Sequence, residues 1–152
     1  MIRIGVVGAI GSGKSYVSKS FGFPLFNADA EVAKLYKKDK KIFIKLKKVL
    51  PKYFDSFPVK KKKVVILDIP LLLENKINKK KDVLIFVQSK QSIINKKLKK
   101  RKGYNKKLFY RFKNIQLSLN HKKKKSHFII NNDFTKKTVE KYVKHILGEI
   151  LK

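Results

Sequence analysis

The sequence predicts an α/β fold, a three-layer α/β/α sandwich with a five-stranded parallel sheet. Two observations support this prediction. Short apolar segments rich in β-branched residues alternate with segments of helical periodicity, which is the pattern of parallel strands joined by helices. The first of these strands leads into a glycine-rich stretch, Gly8 to Ser15, that opens a helix. The 152 residues and an apolar fraction of 43% predict one domain, residues 1–152, with a substantial core.

Five short apolar runs predict the strands, at residues 2–7, 23–27, 64–69, 83–87 and 128–130. The first, third and fourth runs are continuous and rich in valine and isoleucine, as expected of central parallel strands that are covered on both faces. Pro24 indicates where the second strand starts, because a strand tolerates proline at its first residues. The run at 64–69 is therefore expected near the middle of the sheet.

Apolar residues at intervals of three and four predict the helices, over 15–21, 30–37, 39–53, 89–101, 105–125 and 135–151. Asp39 and Pro51 are typical of the two ends of the third helix, the first as a cap and the second as a breaker. The segment 105–125 is predicted to form one continuous helix with its apolar residues on one side. Residues 70–74 are expected to form a short helical turn.

The stretch from Gly8 to Ser15 fits the pattern G-x-x-x-x-G-K-S/T, which cradles phosphates. Its glycines leave room for an anion, toward which consecutive N–H groups and the start of the next helix point. Lys14 is expected to reach the β- and γ-phosphates and Ser15 to bind Mg²⁺. A glycine-rich turn before a capped helix is the alternative. The motif in this context predicts a P-loop NTP hydrolase or kinase, with a nucleotide site formed by Gly8, Gly11, Ser12, Gly13, Lys14, Ser15 and Tyr16.

The net charge of +30 is extreme and first suggests nucleic-acid binding. Nearly all of the positive charge is lysine, however, and the arginines are Arg3, Arg101 and Arg111. Base readers and phosphate clamps favour arginine for its bidentate fork. We therefore expect a lysine-coated enzyme surface without a specific nucleic-acid partner, although such a surface would bind nucleic acid non-specifically and in a salt-dependent way.

Cysteine is absent, which excludes disulfides, thiolate nucleophiles and zinc–thiolate sites. The longest apolar run, Val64 to Leu73, contains Asp68 and Pro70 and is too short to span a bilayer. No secretory signal is recognised. We expect a cytoplasmic monomer without a membrane partner.

Two carboxylates follow predicted strands at the edge of the sheet where the phosphate loop lies. Asp29 comes just after the second strand and Asp68 near the end of the third. One carboxylate beside a γ-phosphate could accept the proton of an acceptor hydroxyl, and a second, Asp68 together with Ser15, could hold Mg²⁺. Two alternatives stay open. Asp29 could cap the helix that follows it, and Asp68 could accept hydrogen bonds from loop amides.

The helix predicted over 89–101 ends in a run of cations before Gly103. Cations on a mobile segment that closes over phosphates would offset the charge that develops in phosphoryl transfer. Arg101 is notable because arginine is scarce here, and the alternative is an ordinary solvated face. The remaining candidates show no spacing that indicates a catalytic or metal role and are expected on the surface or in loops: Glu74, His121, His127 and His145.

Several segments together resemble the dephospho-CoA kinase family. The first two in family order are GAIGSGKS at 8–15, for its GGIGSGKS loop, and Asn27-Ala28-Asp29, for its D-A-D element. Residues 65–74 follow and resemble an apolar strand that ends in P-L-L-x-E. The last two are the set Lys97, Arg101 and Gln116, for two spaced arginines and a glutamine, and residues 129–132, for its V-I-x-N strand.

The resemblance implies phosphorylation of the ribose 3′-hydroxyl of dephospho-CoA by ATP with Mg²⁺, the last step of coenzyme A synthesis. It implies that Asp29 is the base at this hydroxyl and that Arg101 is the lid cation over ATP, with Lys97 also binding ATP. Residues 97–125 would form the lid and the helix after it. Residues 30–62 would form a reduced acceptor-binding helical region.

The chain departs from the family in three places. Family members usually carry a longer region where only 30–62 remains, and its D-R and H-P motifs are missing here. Lys97 replaces a lid arginine, and Asn27 replaces the first aspartate of D-A-D. Two alternative functions therefore stay open. One is a kinase of another small hydroxyl acceptor, and the other is a non-catalytic or weakly active nucleotide-binding remnant with non-specific nucleic-acid binding.

Overall fold

The computed structural model describes residues 1–31, 63–101 and 103–152. The strands are β1 (Ile2–Gly8), β2 (Leu25–Asn27), β3 (Val64–Asp68), β4 (Val83–Gln88) and β5 (Phe128–Asn131). They form one sheet in the order β2-β3-β1-β4-β5, and every neighbouring pair is parallel. The predicted α/β fold with a five-stranded parallel sheet is confirmed, and β1 with its phosphate loop lies at the centre of the sheet.

The helices in the described part of the chain are α1 (Lys14–Ser20), α2 (Gln91–Lys99), α3 (Lys106–Asn114), α4 (Leu119–Lys125) and α5 (Lys136–Ile150). The helix predicted over 39–53, and the one over 30–37 beyond residue 31, lie outside the described residues. Apart from the segment 105–125, the predicted strands and the other helices in the described chain agree with the structure to within two residues at each end. None of the described helices is long and apolar enough to cross a membrane.

Two apolar clusters cover the two faces of the sheet. Alternate residues of each central strand belong to different clusters, as in β3, where Ile66 faces one cluster and Leu67 the other. Residues of α1 and α5 complete the first cluster, and residues that follow β3 complete the second. Because both faces are buried, the central strands are apolar throughout, which is why the sequence shows continuous runs rather than alternation.

The prediction of one continuous helix over 105–125 is wrong, because this segment forms two helices, α3 and α4. Ser118 caps α4, since its hydroxyl accepts a hydrogen bond from the N–H of His121 at 3.2 Å. The N–H of Leu117 donates to Oε1 of Glu74 at 3.0 Å. These contacts give the backbone partners outside a helix, so they outweigh the helical periodicity.

Three of the apolar residues predicted to lie on one side of that helix are largely exposed. Phe112, Ile115 and Leu119 are 48%, 56% and 43% exposed. Phe112 lies on α3, Leu119 on α4 and Ile115 between them, so these three residues do not share the face of one helix.

Candidate active site

The loop between β1 and α1 has the backbone that its glycines allow. Gly8, Gly11 and Gly13 have φ angles of +150°, +82° and +87°. A Cβ atom on Gly8 would lie 2.4 Å from the carbonyl oxygen of Val87, and one on Gly13 would lie 2.3 Å from Nδ2 of Asn132. At these two positions, only glycine fits both the angle and the space.

Ser12 connects this loop to the far side of the sheet. Its carbonyl oxygen accepts hydrogen bonds from Oγ of Ser89 at 3.0 Å and from Nδ2 of Asn132 at 2.9 Å. Oδ1 of Asn132 accepts in turn from the N–H of Phe134 at 2.8 Å. Ser12 is fully buried, so these hydrogen bonds fix the shape of the loop, and its predicted contact with ATP stays a prediction. The loop conformation therefore depends on the segments that follow β4 and β5.

Lys14 is folded back on its own loop. Its Nζ donates to the carbonyl oxygens of Ala9 at 2.8 Å and Gly8 at 3.4 Å. The pKa of Lys14 is lowered to about 8, chiefly because burial disfavours the charged form and also because Lys122 is nearby. Three carboxylates oppose this shift: Asp68, Glu74 and Asp29.

A cavity of about 750 Å³ lies beside the phosphate loop, a volume typical of small-molecule sites. The structure brings most of the predicted site residues together on its walls: Gly8, Gly11, Gly13, Lys14, Ser15, Tyr16, Asp29, Asp68 and Arg101. The ends of three strands and of α2 thus meet at one site, as expected for the carboxyl edge of a parallel sheet.

Lys97 is not among the residues that line this cavity. Its Nζ lies 4.4 Å from the centre of the Phe134 ring, a cation–π geometry. The same ring approaches the phosphate loop at Gly13. The contact of Lys97 with ATP stays a prediction, and its side chain lies beside the loop rather than in the wall of the cavity.

Asn27 contacts the carboxylate of Asp68 and the turn that carries Asp29. Its Nδ2 donates to Oδ2 of Asp68 at 2.7 Å, and its Oδ1 accepts from the N–H of Ala30 at 2.8 Å. Asn27 is therefore the cap of the helical turn at 28–31, and Asp29 lies inside that turn. The alternative that Asp29 serves as the cap is wrong. Among the described residues, the hydrogen-bond partner of Asp68 is likewise a side chain rather than a loop amide.

The carboxyl of Asp29 has a raised pKa. Loss of water around the carboxyl is the main cause and the charge of Asp68 adds to it, whereas Arg101 and Lys14 act in the opposite direction. Taken over all of its atoms, Asp29 is exposed, and it lines the cavity, so an incoming molecule can reach it. A carboxylate with a raised pKa is a better proton acceptor than an ordinary aspartate.

Sequence reasoning missed an ion pair in the cavity wall, and it expected Glu74 on the surface or in a loop without a role at the site. Oε1 of Glu74 lies 2.7 Å from Nζ of Lys122, and the two side chains are 9% and 4% exposed. Both residues line the cavity. Nothing in the lysine run 122–125 distinguishes Lys122 from its neighbours, so no sequence signal could have found it.

The segment from Tyr104 to Gln116 supplies an aromatic part of the wall. Tyr104, Phe109 and Phe112 line the cavity, and the rings of Tyr104 and Phe109 are 6.1 Å apart. Phe109 and Phe112 are three residues apart on α3 and therefore lie on one face of it. Gln116 lies on the same wall. The cavity combines a polar floor at the phosphate loop with this apolar surface.

Comparison with known proteins agrees with this geometry. The family model of dephospho-CoA kinase matches residues 52–138. A dephospho-CoA kinase of Wolbachia pipientis wMel is 30% identical over 190 aligned positions, which cover 97% of each chain. Because the alignment is longer than the 152 residues of this chain, parts of that relative have no counterpart here.

Solved structures show the same fold. Shikimate kinase from Bacteroides thetaiotaomicron superimposes with a TM-score of 0.66 at 15% identity, over 99% of each chain. Dephospho-CoA kinase from Campylobacter jejuni gives a TM-score of 0.53 at 19% identity, over 97% of this chain and 96% of that one. With a family match over more than half of the residues and a relative aligned along nearly all of them, this P-loop kinase belongs to the dephospho-CoA kinase family.

Proposed function

We propose that the chain transfers the γ-phosphoryl group of ATP to the ribose 3′-hydroxyl of dephospho-CoA, giving coenzyme A and ADP. The observation that carries this proposal is the single cavity in which the phosphate loop, Arg101 and the carboxyl of Asp29 meet. The names of the relatives support dephospho-CoA as the acceptor.

In the proposed step, the 3′-oxygen attacks the γ-phosphorus while Asp29 accepts the proton of that hydroxyl. The bond between the γ-phosphorus and the β–γ bridging oxygen breaks, and ADP leaves with the electron pair. Asp29 then releases the proton to solvent, which it reaches because it is exposed. The raised pKa of Asp29 suits a group that must take up a proton and lose it again.

The charge of the phosphates is met by side chains of the cavity. We propose that Lys14 leaves the carbonyl oxygens of its own loop to bind the β- and γ-phosphates, and that Arg101 contacts the transferring group. Mg²⁺ would be held by Ser15 and Asp68 and would offset phosphate charge. These hard oxygen donors suit it, and Oδ1 of Asp68 accepts no hydrogen bond from the described residues.

The walls of the cavity suggest how the acceptor is held. We propose that Tyr104, Phe109 and Phe112 offer a flat apolar surface to its adenine ring. In this proposal residues 97–125 act as the lid segment, and residues 30–62 as the reduced acceptor-binding region. The monomeric state and the cytoplasmic location stay predictions.

The proposal is tested by incubating the protein with Mg-ATP and dephospho-CoA and measuring coenzyme A. Lys14→Ala should abolish the transfer, because the cation for the β- and γ-phosphates is lost. Asp29→Asn should keep the affinity for ATP and lower turnover about 100-fold or more, the range for a lost general base. Glu140→Gln, at an exposed position on α5, is the control and should behave as the unmodified protein.

ATP binding without any coenzyme A formed by the unmodified protein would contradict the proposed reaction. It would favour the nucleotide-binding remnant. Turnover of a different hydroxyl compound in a panel of acceptors, with dephospho-CoA inert, would favour the kinase of another acceptor.

A further inference from the structure

The ion pair between Lys122 and Glu74 is unusual in this lysine-rich chain. The other three lysines of the run 122–125 are exposed, whereas the side chain of Lys122 is only 4% exposed. Removing an ammonium group from water carries a large penalty, which a single carboxylate often fails to offset. A buried lysine in the wall of a reaction cavity therefore calls for a reason beyond stability.

The position of Lys122 supplies that reason. Lys122 and Lys14 both line the cavity, and they are close enough for the charge of one to lower the pKa of the other. Two ammonium groups held near each other repel, and an anion bound between them removes the repulsion. Glu74 is the carboxylate that contacts Lys122 among the described residues, and an ammonium group has three donors. Donors of Lys122 thus remain for a ligand.

Glu74 is itself fixed in place. Its Oε1 accepts from the N–H of Leu117 at 3.0 Å and contacts Nζ of Lys122 at 2.7 Å. Ser118, the residue after Leu117, caps α4 and sets the direction of the helix that carries Lys122. The turn after β3 and the junction between α3 and α4 therefore hold Lys122 at the cavity from two sides.

We propose that Lys122 contacts the phosphate groups bound in this cavity, as a second ammonium group beside Lys14, and that Glu74 is its positioning residue. The inference rests on the proposed function to the extent that both use the same cavity. The charge of Lys122 would stabilise the bound polyphosphate and the charge that develops during transfer.

The test compares the binding of inorganic tripolyphosphate and of ATP, by calorimetry, in three variants. Lys122→Met removes the cation, and the double variant Glu74→Gln with Lys122→Met removes the unpaired carboxylate as well. Lys124→Met, at an exposed position on the same helix, is the matched control. Tripolyphosphate has no base or ribose, so its affinity reports on the phosphate contacts alone.

A phosphate contact predicts that both Lys122 variants lose about tenfold or more in affinity for tripolyphosphate and ATP, the range for a charge-assisted hydrogen bond. Lys124→Met should lose little. Thermal unfolding should show the double variant to be more stable than Lys122→Met, because no charge is left buried alone. A merely structural pair predicts instead that the double variant regains affinity together with stability, and regained affinity for tripolyphosphate would overturn the proposal.

A second measurement covers the case in which the methionine variants do not fold. It follows the ¹⁵Nζ NMR resonance of Lys122 in the unmodified protein, which is assigned by its loss in Lys122→Arg. This resonance should shift when tripolyphosphate is added. An unchanged resonance at saturation would overturn the proposal. If the unmodified protein forms no coenzyme A but its tripolyphosphate affinity depends on Lys122, the proposed reaction fails and this inference stands.

Discussion

We expect the surroundings of Lys14 to change when phosphates bind in the cavity. In the free protein its pKa is about 8, and the charged groups that face it are Lys122, Asp68, Glu74 and Asp29. Bound phosphates stabilise the ammonium form and return the pKa toward its ordinary value of about 10.4. At pH 8.5 most of the free protein has a neutral Lys14, whereas the complex has a charged one. ATP binding should therefore take up a proton.

Calorimetry of ADP and ATP binding in buffers of different ionisation enthalpy measures this uptake. We expect it to rise from pH 7, where Lys14 is already mostly charged, to more than about half a proton at pH 8.5. Lys14→Met should abolish the increase even if residual binding persists. An uptake that stays constant across this range would show that Lys14 is fully charged in the free protein.

The positions of single residues were predictable where those residues lie close in sequence to the end of a predicted strand. Lys14 and Ser15 follow β1 directly, and Asp29 and Asp68 lie at strand ends, so a parallel sheet brings them together. Lys122 was not predictable, because its neighbours in the run are the same residue type and only tertiary packing buries this one. The role of Asn27 as the helix cap was missed because Asp29, two residues later, is an equally good capping type.

At the scale of elements, the junction between α3 and α4 depends on Ser118. Ser118→Ala removes the acceptor for the N–H of His121 and should lower the free energy of unfolding by about 1 kcal/mol, as measured by urea denaturation. Ser92→Ala, at an exposed position inside α2, is the matched control and should be neutral or slightly stabilising. Equal stability of Ser118→Ala and the unmodified protein would mean that the cap is not used in solution.

The junction between α3 and α4 could not be predicted from the sequence, and the reason is physical. A capping serine is usually recognised by a Glu or Gln three residues later, which returns a hydrogen bond to the cap. Here that position is His121, and the other contact at the junction comes from Glu74, far away in the chain. Periodicity alone therefore predicted one helix. The other described elements were predictable because their signals, apolar runs and helical spacing, are local.

At the scale of the whole molecule, the charge of +30 works against the compact state. Salt screens this repulsion, since the Debye length falls from about 30 Å at 0.01 M to about 8 Å at 0.15 M. We expect the midpoint of thermal unfolding to rise with sodium chloride between these concentrations. Lys14→Ala should show the same rise, which would exclude chloride binding at the phosphate loop as the cause. A midpoint that falls with salt would show that net attraction among charges dominates.

The strand order is the whole-molecule property that local signals left undetermined. Five parallel strands were predictable from their composition, but their arrangement as β2-β3-β1-β4-β5 depends on long-range pairing. Because β1 pairs with both β3 and β4, the phosphate loop that follows it lies at the middle of the carboxyl edge of the sheet. The fold class could therefore be predicted, whereas the positions of the strands could not.

The support of the phosphate loop by distant segments affects how the protein matures on the ribosome. Gly8 to Ser15 is translated early, yet the carbonyl oxygen of Ser12 finds its two donors only when Ser89 and then Asn132 have been made. Until then the loop lacks these two hydrogen bonds, and we expect a nascent chain to bind a nucleotide more weakly. We therefore expect ATP to stabilise chains that extend past Asn132, and chains truncated before Asn132 should be left without this protection from proteolysis.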